Sequence, residues 1–244
     1  MSYLTYISDD NLIAIVKHVL DIGIKRKKEA EKKFNHNVID PFGSLFEAGA
    51  FNVDHQTWKS SETIRQCQKT LQNHVGELHQ KILGHVDGWT DLDKGSVVDL
   101  VCEERKIIAE IKNKYNTVTG AKLADQYRSL EDLIMPKASK FKEYTAYFVN
   151  VIPKNPNRFD SLFVPSDNKK GTRCSDNQNI RKIDGASFYA LVTGEFNALE
   201  NLFIALPMVI EDIYKNHYQN DKFKIQDKGK FAHYFSLAYK NNYE

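Results

Sequence analysis

Two apolar segments separated by a charged turn constrain this chain most: Gly95 to Cys102 and Lys106 to Lys112, with Glu103, Glu104 and Arg105 between them. Segments of this length and composition, joined so closely, predict two strands of a β-hairpin. Ala121 to Met135 follows with helical spacing, and Tyr144 to Ile152, rich in aromatic and β-branched residues, predicts a buried strand ended by Pro153. Helix, hairpin, helix, strand is the order of an α/β core. We expect a mixed central sheet flanked by helices, with further helices at both termini.

Local signals place those helices. Ser8 is a suitable N-cap, Asp9 and Asp10 fall in the first turn, and Leu12, Ile15, Val16, Val19 and Leu20 repeat at helical spacing. The basic run Lys25-Arg26-Lys27-Lys28, interleaved downstream with Glu29 and Glu31, reads as a solvated helix face. Asp40-Pro41 predicts a capped short helix toward Ala50. From Thr57 to Leu83 the residues Ile64, Cys67, Leu71, Val75, Leu78 and Ile82 step by three or four, which predicts a core-facing stripe ended by Gly84. Pro165 to Asn179 is polar throughout and predicts one long loop, of the kind that carries function in compact domains. Asp184 would cap a helix ending near Gly194, and a last helical section starts at Asn197. With 244 residues and 41% hydrophobic content the chain can bury one substantial core. We therefore expect a single domain over 1–244: a helical part (1–90), a sheet core (91–165), then a loop and C-terminal helices (166–244).

Composition excludes some classes. The longest apolar run, Leu202 to Ile210, is interrupted by Pro207 and falls far short of the roughly 20 residues needed to span a bilayer. The N-terminus lacks the basic start and apolar core of a secretory signal, so a cytoplasmic protein without membrane association is expected. Cys67, Cys102 and Cys174 are few, odd in number and far apart, which predicts free thiols. A net charge of +2 neither supports nor excludes a nucleic-acid partner, because phosphate affinity depends on where the charges sit.

The chemistry-bearing group is Glu110-Ile111-Lys112. Side chains alternate along a strand, so Glu110 and Lys112 share one face while Ile111 turns to the core with Ile107 and Ala109. A hard divalent cation needs oxygen ligands, and phosphodiester hydrolysis needs that cation, an activated water and positive charge at the phosphorus. Asp99, eleven residues before Glu110, supplies a second carboxylate if the hairpin register allows it. A two-residue turn makes Asp99 a diagonal neighbour of Glu110, about 7–8 Å away between backbones. A four-residue turn sets the two opposite each other, and a three-residue turn without a bulge sends Asp99 to the other face. The triplet alone is weak, since Glu31-Lys32-Lys33 and Glu104-Arg105-Lys106 also match it, and Asp99 with Lys112 would equally make an ion pair at a sheet edge. Glu77, beside the helical stripe, is a third candidate ligand or a partner of Lys81. His74, His79 and His85 are five and six apart and do not share a helix face, which argues against a histidine metal site. No glycine-rich phosphate loop, nucleophile elbow or dinucleotide fingerprint occurs.

Glu77 on a helix, Asp99 on a strand and Glu110-Ile111-Lys112 on the next resemble the PD-(D/E)xK nuclease superfamily, with Val98 standing where the superfamily's name has proline. The blocks 38–42, 68–73, 107–117 and 183–185 further resemble type II restriction endonucleases that cut GGNCC-like palindromes. The resemblance implies a restriction-endonuclease-like fold and catalysis by Asp99, Glu110 and Lys112. It further implies a magnesium ion (Mg2+) on Asp99, Glu110 and Glu77, double-stranded DNA as substrate, and a cognate DNA methyltransferase. A palindromic target favours a homodimer in which each subunit cuts one strand. Lys114, Asn116 and Thr117, just past the catalytic strand, are expected to position the DNA backbone, and Lys169, Lys170 and Arg173 in the polar loop to reach bases. The competing expectations are a structure-specific or repair nuclease on the same core, and a DNA-binding protein that has lost activity.

Overall fold

The computed structural model describes residues 2–92, 95–167, 169 and 171–240. Helices fill its first third: α1 (Asp9–Lys33), a 3-10 turn (Phe34–His36), α2 (Pro41–Phe51) and α3 (His55–Leu83). The middle holds β1 (Thr90–Asp91), β2 (Leu100–Cys102), β3 (Ile107–Lys114), α4 (Gly120–Ile134) and β4 (Thr145–Ile152). Four short strands follow, β5 (Asp160–Leu162), β6 (Ser166–Asp167), β7 (Thr172–Arg173) and β8 (Ile180–Asp184). Last come α5 (Gly185–Thr193), α6 (Ala198–His217) and α7 (Lys228–Ala238). Among the described residues no helix is long and apolar enough to cross a membrane.

The chain divides into two compact units, Met1–Ile15 with Gly76–Glu244, and Val16–Val75. Within the larger, a six-stranded sheet runs in the order β1-β2-β3-β4-β8-β5. β3, β4 and β8 are parallel, whereas β1, β2 and β5 pair antiparallel at the edges. This is the mixed, helix-flanked sheet of a restriction-endonuclease-like fold. On one face Ile108, Ala146, Phe148 and Ile180 pack with Tyr127, Leu130 and Ile134 of α4, and Phe148 stacks on Phe163 with ring centroids 4.7 Å apart. On the other face Phe188 of α5 meets Tyr147 and Trp89. Burial of such large apolar side chains, each contributing about 1.5–3 kcal/mol, holds the layers together.

The helix starts follow the capping chemistry. Asn11 N–H donates to Ser8 Oγ at 3.3 Å, and Asp40 accepts from Phe42 and Gly43 N–H at 3.0 and 3.1 Å. Asp184 accepts from Ser187 N–H at 3.0 Å, and Gly194 closes α5 with φ 76°. Gly185 is required by close packing: an added Cβ would stand 2.4 Å from the Val151 carbonyl oxygen.

Three expectations need correction. The strand expected over Gly95 to Cys102 is confined to Leu100–Cys102, because Gly95 at φ 115° bends the chain and Val97 projects outward. The polar segment Pro165 to Asn179 is not structureless: β6 and β7 form a hairpin, with Ser166 opposite Arg173. The stripe of α3 is core only toward its C-terminus, where Leu78 and Ile82 are buried; Ile64 is 58% exposed. In the unit Val16–Val75 the buried positions of α3 are Trp58, Glu62 and Gln66, so a partly polar face turns inward there.

Candidate active site

The hairpin turn decides whether a site exists. Cys102 pairs with Ile107, Val101 with Ile108 and Leu100 with Ala109, so the turn has four residues, and just past the paired segment the carboxyl of Asp99 comes within hydrogen-bonding reach of that of Glu110. Lys106, at φ 51°, takes the left-handed position that closes this turn, and its N–H donates to Glu103 O at 3.1 Å. Asp99 lies just beyond the regular end of β2 but stays tied to both neighbours. Its N–H donates to Ala109 O at 2.9 Å, and its carbonyl accepts from Leu92 N–H at 2.8 Å. Its carboxylate accepts from Ile111 N–H at 2.6 Å. Glu110 is 9% exposed, and its Oε1 accepts a short hydrogen bond from Lys112 Nζ.

Electrostatics mark the pair as unusual. Burial, followed by the charge of Asp99, pushes the Glu110 carboxyl up to about 7; Lys112 only partly counters this. Burial likewise pushes Asp99 upward against the opposing pull of Ile111 N–H and Lys112, with Asp91 adding repulsion. Two buried carboxyls that repel one another are a donor set short of a cation. Their hard oxygens suit magnesium, which binds through one or two carboxylates and keeps waters in its other positions. Asp99 and Glu110 therefore fit the ion, with Lys112 at their side.

The other expected site residues are distributed as follows. Glu77 lies on α3 next to Gly76, where an added Cβ would stand 3.6 Å from Asn113 of β3. Among the described residues no group of three His, Cys, Asp or Glu side chains is spaced to hold a metal, so Glu77 does not join the pair as a third ligand in this structure. It is engaged in a polar interaction of its own. Lys114, Asn116 and Thr117 form an exposed turn at the end of β3, where Thr117 N–H donates to Lys114 O at 3.0 Å. Lys169 and Arg173 are exposed on the β6–β7 hairpin; Lys170 lies outside the described residues. That hairpin is anchored by Arg128 of α4, whose Nη1 donates to the buried Asp167 at 2.6 Å.

Sequence reasoning missed three neighbours. Asp91 adds negative charge near Asp99 while held by Lys81 and Gln80, each at 2.5 Å. Its two-residue strand leaves no periodic signal. Asn150 is 2% exposed and sits opposite Lys112 on the parallel neighbour β4, its Oδ1 without a hydrogen-bond partner among the described residues. Lys182 shares a cross-strand row with Phe148 and Glu110, and burial pushes its ammonium downward. Both belong to strands whose pairing is non-local, and for β8 the interposed Arg181 and Lys182 hide the alternation.

The profile of the Eco47II restriction endonuclease family matches residues 4–215. The chain is 56% identical over 239 residues to the type II restriction enzyme Eco47II of Escherichia coli, which spans 98% of this chain and 100% of that protein. It is 31% identical over 245 residues to the type II restriction enzyme Sau96I of Staphylococcus aureus, covering 98% of this chain and 91% of the relative. No solved structure matches the chain significantly. With two such relatives aligned over nearly its full length, the chain belongs to the Eco47II restriction endonuclease family of type II site-specific deoxyribonucleases.

Proposed function

We propose that Asp99 and Glu110 hold a magnesium ion, with Lys112 beside it, in the site that hydrolyses double-stranded DNA at a short GGNCC-like palindrome. The observation that carries this reading is the meeting of the Asp99 and Glu110 carboxyls beside the four-residue turn, with Lys112 on the same strand face as Glu110 and bonded to it. When bound, the ion supplies Lewis-acid charge at the phosphate and makes a coordinated water more acidic. The ammonium of Lys112, which donates to Glu110 in this structure, turns to a phosphate oxygen and offsets the charge that grows there during attack. Ile111 N–H fixes the orientation of Asp99, so one ligand is positioned before DNA arrives.

Lys114, Asn116 and Thr117 position the DNA backbone beside the scissile bond, and Lys169 and Arg173 approach bases from the β6–β7 hairpin. Lys182 adds positive charge to the catalytic face. We further infer one nuclease over 1–244, a homodimer matched to the two-fold symmetry of a palindrome, a cognate methyltransferase that shields host DNA, and a place in the cytoplasm where that DNA lies.

Digestion of unmethylated phage DNA with magnesium tests the reading. Discrete fragments are expected, and Lys112→Ala is expected to lower cutting by about 10²–10⁴-fold while duplex binding persists. Smeared products or selective cutting at junctions would favour a structure-specific nuclease. Binding with no cleavage in magnesium or manganese would favour an inactive DNA-binding protein.

A further inference from the structure

The unit Val16–Val75 contains a cleft of about 770 Å3. One wall is α3, which presents Glu62, Arg65, Gln66, Lys69 and Asn73 at helical spacing; Arg26 of α1 lies across from it. α1 and α3 run antiparallel here, as the hydrogen bond from Cys67 Sγ to Arg26 O and the edge-on contact of His18 with His74 show.

The floor is pre-ordered. Buried Glu62 accepts two hydrogen bonds from Arg65, at 2.5 and 2.8 Å, and one from Gln66 Nε2 at 2.9 Å. Burial alone would lift its carboxyl, yet these donors outweigh burial and hold it below the usual carboxylate range. The carboxylate therefore fixes a guanidinium and an amide in place, leaving Arg65 Nη1 and Gln66 Oε1 for a ligand. Arg26 Nε is buried without a hydrogen-bond partner among the described residues, an unmet donor inside a polar cleft. Lys69 and Asn73 are exposed, and their side chains carry no hydrogen bond or ion pair among the described residues.

The charge balance indicates what such a cleft receives. Arg26, Arg65 and Lys69 supply three positive charges, and Asp40, Glu47 and Glu62 three negative ones, so the lining is neutral with histidine uncharged. A site for the phosphate backbone would need an excess of positive charge. Fixed donors and acceptors of balanced charge suit a neutral polar edge, and Arg, Lys, Asn and Gln are the side chains that pair with purine edges. We propose that this cleft is a base-reading site, in which Arg26, Arg65, Lys69 and Asn73 hydrogen-bond to base edges of the target sequence. The proposal rests on the reading of the chain as a sequence-specific nuclease and locates part of its specificity outside the β6–β7 hairpin.

The test uses the full chain. Wild-type protein is first used to map cut sites on unmethylated phage DNA; absence of discrete sites would overturn the nuclease reading itself, independently of the cleft. Binding of Lys69→Ala, Asn73→Ala and Arg26→Gln is then measured by fluorescence anisotropy in calcium, on a duplex carrying the mapped site and on a scrambled duplex. Each variant is expected to lose roughly 5- to 150-fold in affinity for the mapped duplex, and to keep both its affinity for the scrambled duplex and the salt dependence of that affinity. A parallel loss on both duplexes with a shallower salt dependence would make these residues phosphate contacts and overturn the proposal. Unchanged binding to both would remove the cleft from DNA recognition. Lys69 and Asn73 lie on the helix surface, so these two variants decide the outcome should thermal melting show Arg26→Gln unfolded.

Discussion

The carboxylate of Asp99 accepts a 2.6 Å hydrogen bond from the backbone N–H of Ile111, so one candidate metal ligand is also a structural tie within the hairpin. Two substitutions separate these roles. Asp99→Ala strands a buried N–H and is expected to cost about 1–3 kcal/mol in urea unfolding, whereas Asp99→Asn keeps an acceptor and is expected to cost less than about 1 kcal/mol. Both should lower cutting by at least about 10²-fold. Full activity in the Asn variant would remove Asp99 from the catalytic set.

Glu110 predicts an unusual pH dependence of stability. Its folded-state carboxyl titrates near about 7 against an ordinary 4.5, because burial and Asp99 disfavour its charge. Between those values the folded protein holds a proton that the unfolded chain has released, so the metal-free protein is expected to lose stability as pH rises through this window. Glu110→Gln should flatten that slope and stabilise the metal-free protein at pH 8 by on the order of 1–3 kcal/mol. Magnesium should raise the melting temperature more at pH 8 than at pH 6, since the ion competes with the proton for the same oxygens. Melting curves at several pH values check both statements; identical slopes in wild type and Glu110→Gln would contradict them.

Gly185 offers a test of how α5 seats on the sheet. A Cβ there would meet Val151 backbone atoms at 2.4 and 2.7 Å, and backbone cannot swing aside as a side chain can. Gly185→Ala is expected to lower stability by about 1–3 kcal/mol or more in denaturant titration. An unchanged unfolding midpoint would mean that α5 moves freely on β4.

Arg128 and Asp167 predict the behaviour of the β6–β7 hairpin. Asp167 is 3% exposed and bonded to Arg128, so Arg128→Ala would remove one charged partner of a buried carboxylate. Because Arg128 itself is partly exposed, the expected cost is roughly 1–3 kcal/mol rather than the full penalty of a buried pair. Proteolysis within 166–173 should accelerate in this variant before the rest of the chain unfolds. Cleavage at the wild-type rate would show that the hairpin does not depend on this anchor.

The legible parts of this fold share one property: their physics is local. Ser8, Asp40 and Asp184 announce helix starts because a side-chain oxygen satisfies N–H groups two or three residues away. Ile107, Ala109 and Ile111 announce β3 by alternation, and that alternation places Glu110 and Lys112 on one face. What stayed hidden depends on partners distant in sequence. Ile64 has helical spacing yet is 58% exposed, while Glu62 and Gln66 are buried and joined by a hydrogen bond that no hydrophobic pattern reports. The position of Asp99 required the turn length, which composition left open among three registers and the observed pairing resolves to four residues.

That turn has a consequence for how the gene tolerates change. Glu103, Glu104, Arg105 and Lys106 are all exposed, so their identities are open to substitution at small cost, with glycine well suited to the left-handed position of Lys106. Their number is another matter, because each strand residue changes side with every residue added or removed. Deleting a single codon from this surface segment is expected to break the proposed site while leaving all three of its side chains in the sequence.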